Sequence, residues 1–204
     1  MRADKHRLQQ WYGGLITALV IAQLLLVMAS WLLSAMMVGG VHSLLSSEGI
    51  RWFLGHFAQM LATPCLVWLL LIAMAGGCLW HSGALQEWQA PCDKTAKHAA
   101  IVVTALYSVV VVALVAAPHA LLLSATGSLY QSPFSRAIIP ILAFGVMLSS
   151  TVYGYASNRF TSLAELLSSL SSGIGCAAPA FVLYVLVVQF LASVAFVLGH
   201  NNLL

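Results

Sequence analysis

The chain has 204 residues, of which 61% are hydrophobic and 6% are charged, and its net charge is +3. In a water-soluble domain about a quarter of the residues are charged. This composition therefore excludes a water-soluble domain and predicts that much of the chain lies in the lipid bilayer. The positive charges are few and scattered, which argues against nucleic acid as a partner.

Five apolar segments approach or exceed the length of a helix that crosses a bilayer, roughly 20 residues. They occupy residues 12–38, 60–81, 98–123, 137–156 and 174–198. The first follows a basic N-terminus, but it is longer than the apolar core of a signal peptide, about 7–15 residues. We therefore expect it to be a retained span. The predicted fold is all-α, with about five transmembrane helices in one membrane domain over residues 1–204.

Lys and Arg in short loops predict the orientation, because cytoplasmic loops carry an excess of them. A cytoplasmic N-terminus places six cations on the cytoplasmic side: Arg2, Lys5, Arg7, Lys94, Lys97 and Arg159. The outer side then holds only Arg51 and Arg136. We expect the N-terminus to be cytoplasmic and the C-terminus to be periplasmic or external.

Two segments, residues 47–59 and 161–172, have the pattern of amphipathic helices that lie in the membrane interface. Apolar residues share one face of each: Ile50, Phe53, Leu54 and Phe57 in the first, and Leu163, Leu166, Leu167 and Leu170 in the second. Ser162 and Glu165, three residues apart, predict a capping box at the start of the second.

Pro64 and Pro179 suggest an internal repeat, since each opens a predicted span and follows an amphipathic segment. Two spans separate the copies, so the second would be inverted relative to the first, a common construction in secondary transporters. Chance similarity between two apolar stretches is the alternative. Backbone carbonyls at these prolines are possible cation ligands, but a proline in the first turn of a helix needs no such role.

Small residues in the fourth predicted span indicate close helix contact. Gly145 and Ser149 form one pair spaced by four, and Ser150 and Gly154 form another. Such pairs let helices approach closely, either within the bundle or against a partner protein. Gly76 and Gly77 flatten the second span in the same way.

Catalytic, metal and cofactor sites are not expected. None of the five acidic residues lies in a predicted span: Asp4, Glu48, Glu87, Asp93 and Glu165. The membrane interior therefore has no carboxylate that could bind a proton or a sodium ion, and its serines have no Asp or Lys partner for hydrolysis. The seven histidines lie near span ends in no ligand spacing, which leaves a haem-binding subunit as a remote alternative.

One long segment resembles a known family. Residues 126–142 read TGSLYQSPFSRAIIPIL, which is similar to the aminobenzoyl-glutamate transporter (AbgT) family, where a GSL…SPF turn precedes a span that begins IVPLIF. The similarity continues through residues 152–157 and 163–170. Earlier, residues 44–52 resemble the family's LLSGEGLRW and residues 81–85 its KSGLI.

The resemblance implies a shortened member located in the bacterial inner membrane. Longer family members carry two hairpin-containing blocks that hold the substrate and cation sites. Residues 86–98 stand where the first block would be, and the sequence given ends before the second. No functional residue can therefore be carried over, and what matches is the framework and dimerisation part.

These observations favour a non-enzymatic membrane scaffold or accessory subunit, which forms a homodimer or binds another membrane protein. The alternative is a small secondary transporter or efflux unit that acts as an oligomer or with a partner. A haem-carrying electron-transfer subunit is the third hypothesis.

Overall fold

The computed structural model describes residues 2–37, 40–87, 94–116 and 133–199, and within these ranges the chain is helical and has no strand. The helices are α1 (Arg2–Ala35), α2 (Ser47–Leu61), α3 (Pro64–His81), α4 (Ala84–Glu87), α5 (Lys94–Ala116), α6 (Pro133–Ala156) and α7 (Leu163–Val197). The all-α prediction is confirmed. Parts of several predicted segments lie outside the described residues: residue 38 of the first span, residues 88–93 of the segment 86–98, residues 117–123 of the third span, residues 126–132 of the family-like segment, and residues 200–204.

Among the described residues, five helices are long and apolar enough to cross a membrane, as predicted. The qualifying stretches are Gln10–Ala35, Pro64–His81, Lys94–Leu114, Ala137–Ala156 and Leu163–Val197. Their large apolar side chains face outward, as Leu24 (62% exposed) and Leu106 (64% exposed) illustrate. Exposing this much apolar surface to water is unfavourable, so we expect lipid acyl chains to cover it.

The second span begins later than predicted, because the amphipathic helix before it continues further. Helix α2 runs to Leu61, two residues separate it from α3, and Pro64 is the first residue of α3. Proline disfavours helical backbone in the residue before it and is tolerated at the first helical position. Pro64 therefore accounts for the position of the break, which lies directly before it.

The last span differs from the prediction. Residues 161–172 and 174–198 were expected to form two helices, but α7 continues from Leu163 to Val197. Its 35 residues span about 52 Å, which exceeds the roughly 30 Å of hydrocarbon. Its start is capped as predicted: the Glu165 amide donates to Ser162 Oγ (3.3 Å), and Glu165 Oε2 accepts from the Thr161 amide (2.6 Å).

The helices form two compact units. The first comprises residues 1–66 and 178–204. In its core Leu44, Phe196 and Val197 are buried, and the Trp52 ring stacks on Phe196 with centroids 4.4 Å apart. The His42 amide donates to the Val197 carbonyl (3.1 Å), which ties the segment after α1 to the end of α7.

The second unit comprises residues 67–177. Helix α5 lies along α6, and the short helix α4 also contacts α6. Ala96, Ala100 and Tyr153 are buried together in this unit, and Ala84 of α4 packs against them. The first turns of α5 therefore lie beside the last turns of α6.

Candidate functional site

Hydroxyl groups inside the spans bond mainly to their own helix. Thr104 donates to the Ala100 carbonyl (2.7 Å), and Ser149 donates to the Val146 carbonyl (3.0 Å). Ser150 also donates to Val146. A hydroxyl has one proton and two acceptor lone pairs, so these groups offer only acceptor positions to a ligand.

Two glycines bring α3 and α7 into backbone contact within the second unit. A Cβ at Gly77 would lie 2.6 Å from Gly173 Cα, and a Cβ at Gly173 would lie 2.8 Å from Gly77 Cα. Only hydrogen side chains permit this approach. The sequence indicated Gly77 as part of a flat surface but missed Gly173, because it follows a serine-rich stretch that has the pattern of a surface helix.

Cys78 joins α3 to α6. Its side chain is fully buried, and its Sγ lies 3.4 Å from Thr151 Oγ1. A buried thiol packs as a small apolar group with weak hydrogen-bonding capacity. Cys78 therefore belongs to the packing of the second unit.

The two predicted packing glycines of α6 both contact side chains of their own unit. A Cβ at Gly145 would lie 2.8 Å from the ring of Tyr107, whose hydroxyl donates to the Ile141 carbonyl (2.8 Å). A Cβ at Gly154 would collide with the ring of Phe160. The absent side chains make room for aromatic rings within the unit.

Ser149 and Ser150, the other two packing candidates of α6, line a groove of the second unit. The groove has a volume of about 660 Å³ and is partly open. Its lining comprises Leu79, Ala84, Leu85, Ala100, Ile101, Thr104, Ala105, Ser108, Ser149, Ser150 and Tyr153. This volume is within the range of small-molecule sites, about 300–1,000 Å³. We refer to it as the α5–α6 groove.

Pro64 and Pro179 occupy different environments in the first unit, although the sequence aligns them. Pro64 begins α3, whereas Pro179 lies inside the continuous helix α7. The break before Pro64 is held by Tyr184, whose hydroxyl donates to the Leu61 carbonyl (3.1 Å) and also bonds to Thr63. Of the two copies of the suggested repeat, only the first therefore has a helix break before its proline.

A polar pair that the sequence analysis missed lies in the apolar part of the first unit. Gln23 Nε2 donates to Ser193 Oγ (2.9 Å), and Ser193 is fully buried. Gln23 Oε1 has no hydrogen-bond partner among the described residues. A glutamine near the middle of a predicted span indicates a hydrogen bond to another helix, because the hydrocarbon of the bilayer offers its side-chain amide no partner.

The described residues contain no group of three or more potential metal ligands. Three histidines bond instead to the carbonyl four residues earlier: His56 to Trp52 (3.1 Å), His81 to Gly77 (3.0 Å) and His98 to Lys94 (2.7 Å). Two of the seven histidines, His119 and His200, lie outside the described residues.

Comparison with family models identifies the chain. The model of the AbgT putative transporter family matches residues 83–200, more than half of the sequence. The chain belongs to the AbgT putative transporter family. The resemblance in residues 126–142 lies inside the match and is confirmed, whereas the one in residues 44–52 lies outside it. No curated protein and no solved structure matches the chain.

The matched region covers helices α5, α6 and α7 and most of the α5–α6 groove. AbgT members are transporters rather than enzymes. The chain is therefore a membrane protein of transporter type.

Proposed function

We propose that the chain is a non-enzymatic framework subunit of an AbgT-type transport assembly in the bacterial inner membrane, with a cytoplasmic N-terminus. The observation that supports this proposal is the absence of Asp, Glu, Lys, Arg and His side chains between the ends of the described spans. Gln10–Ala35 and Ala137–Ala156 contain none, and in α7 only Glu165, at the start of the helix, is charged.

Coupled transport normally uses charged or proton-binding groups near the bilayer midplane, or half-helices that bind ions there. The polar contacts of the described spans are neutral instead, such as Gln23 with Ser193 and Cys78 with Thr151. Such contacts hold helices together and provide no charge for a coupling ion. Another membrane protein would supply the coupling site.

Reconstitution of the purified chain tests this proposal. Liposomes that contain the chain alone, under inward sodium and proton gradients, should take up labelled aminobenzoyl-glutamate no faster than protein-free liposomes. Native mass spectrometry in mild detergent should show a reproducible second membrane protein bound to the chain, whereas a bare homodimer would favour the transporter alternative. Saturable, gradient-dependent uptake by the chain alone would contradict the proposal.

A small transporter or efflux unit is the second candidate, and the α5–α6 groove favours it. If uptake is observed, Ala105→Phe should abolish it because Ala105 lines the groove. Ala113→Phe is the matched control, since Ala113 is an exposed residue of the same helix outside the lining. Equal uptake by both variants would exclude the groove as the transport site.

A further inference from the structure

The wall of the α5–α6 groove is neutral and has few accessible polar groups. Among the described residues that line it, none is Asp, Glu, Lys, Arg or His. Ser150 and Tyr153 belong to the lining, but each is only 1% exposed. The accessible polar side chains are therefore three hydroxyls, those of Thr104, Ser108 and Ser149.

Each of these hydroxyls already donates its proton to its own helix. Thr104 donates to the Ala100 carbonyl (2.7 Å), and Ser108 donates to the Thr104 carbonyl (2.8 Å). Ser149 donates to the Val146 carbonyl (3.0 Å). A hydroxyl has a single proton, so what remains on each oxygen is acceptor capacity. The accessible side chains of the groove thus offer hydrogen-bond acceptors and no donor.

Two of these oxygens lie at the same level of the groove, one on each helix. The first turns of α5 lie beside the last turns of α6, so the two helices run in opposite directions, and Ala100 is buried together with Tyr153. Thr104 follows Ala100 by four residues, and Ser149 precedes Tyr153 by four. Both are therefore about one helical turn from the same contact, in the same direction along the groove.

This level is close to the middle of the membrane. Thr104 is at the middle of the span Lys94–Leu114, and Ser149 is within three residues of the middle of Ala137–Ala156. Hydrocarbon contains no hydrogen-bond donor, so an acyl chain in the groove would leave both oxygens without a partner. An anion would find no donor in this lining and a cation would find no carboxylate, and a charge at this depth is costly. The lining therefore favours a neutral molecule with a strong hydrogen-bond donor.

We propose that the α5–α6 groove binds a neutral phenol. Its hydroxyl donates to Thr104 or Ser149, and its ring lies against the exposed apolar side chains of Ile101 and Ala105. A phenol oxygen is a strong donor and a weak acceptor, whereas an amide would bring a carbonyl that this lining cannot satisfy. With a pKa of about 10, a phenol is uncharged at neutral pH. The volume of about 660 Å³ accommodates such a ligand. This binding site does not depend on whether the chain transports anything.

Photolabelling of the full chain in lipid nanodiscs tests this proposal. The probes are a phenol that carries a trifluoromethyl diazirine and the methyl ether of the same compound, which keeps the apolar body but lacks the donor. Peptide mass spectrometry measures labelling of α5 and α6 relative to α1, which reports probe dissolved in the bilayer. The phenol should label the groove about tenfold more than the ether, and excess 1-naphthol should displace it.

Hydroxyl deletions identify the groups that bind the phenol. Thr104→Val, which keeps the branched shape, and Ser149→Ala should each lower phenol labelling about threefold, and the double variant should lower it to the level of the ether. Ser171→Ala is the matched control, because Ser171 is an exposed serine of the same unit that also bonds to its own helix but lies outside the lining. It should leave labelling unchanged. Unchanged ether labelling in all variants verifies that the groove is intact.

Three results would overturn the proposal. The first is equal labelling of the groove by the phenol and the ether, which would make it an apolar groove for acyl chains. The second is undiminished phenol labelling in the double variant with Thr104→Val and Ser149→Ala. The third is labelling of α5 and α6 that does not exceed that of α1 for either probe, which would mean that the groove is closed to small molecules.

Discussion

Individual side chains, or their absence, set how closely the helices of this protein approach. At Gly77 the neighbour is the backbone of Gly173, which cannot turn away. At Gly145 the neighbour is the ring of Tyr107, a side chain that can shift. A methyl group should therefore be far less tolerable at Gly77 than its small volume suggests.

Gly77→Ala should destabilise the protein by about 1–3 kcal/mol, because the new methyl group pushes apart two helix backbones. Gly76→Ala is the matched control, since a Cβ at Gly76 meets nothing within 4 Å. That control should be neutral or stabilising, because alanine favours the helix over glycine by about 0.5–1 kcal/mol. Thermal denaturation in detergent measures both variants, and equal melting temperatures would refute the close approach.

The elements show how the same residue type acts differently by position. Pro64 lies at the first position of α3, where the missing amide proton leaves no hydrogen bond unmade. Pro179 lies in the interior of α7, where it removes a helix hydrogen bond. The α2–α3 break is instead stabilised by the bond from the Tyr184 hydroxyl to the Leu61 carbonyl.

Replacing each proline by alanine tests this difference. Pro179→Ala should raise the apparent melting temperature, because alanine is up to about 3 kcal/mol better than proline in a helix interior. Pro64→Ala should change it little, since proline is tolerated at the first helical position. A lower melting temperature for Pro179→Ala would show that the packing of α7 depends on its proline.

At the scale of the whole molecule, the distribution of charge predicts how the chain lies in the membrane. Lys94 and Lys97 begin α5, and Arg159 follows α6, so the two adjoining ends of these helices are both basic. Loops rich in Lys and Arg remain cytoplasmic. We expect Arg51 on α2 to lie on the opposite, less basic side.

Cysteine labelling in intact cells tests the orientation. In a background without the four native cysteines, Ser47→Cys should react with a membrane-impermeant maleimide. Thr95→Cys should react only after permeabilisation, and both positions are exposed. The reverse pattern would place the N-terminus outside.

The sequence by itself determined the membrane class, the five spans and the family, because these depend on composition, hydrophobic length and a local motif. It also located the cap at Ser162 and Glu165, since that contact joins residues three apart. The tertiary structure alone decided that Gly77 meets Gly173, that Gln23 meets Ser193, and that α7 continues through its serine-rich start. The two contacts join residues that are distant in the chain, so no local sequence pattern reports them. The continuity of α7 depends on the balance between a helix break and continued backbone hydrogen bonding, which no local pattern reports either.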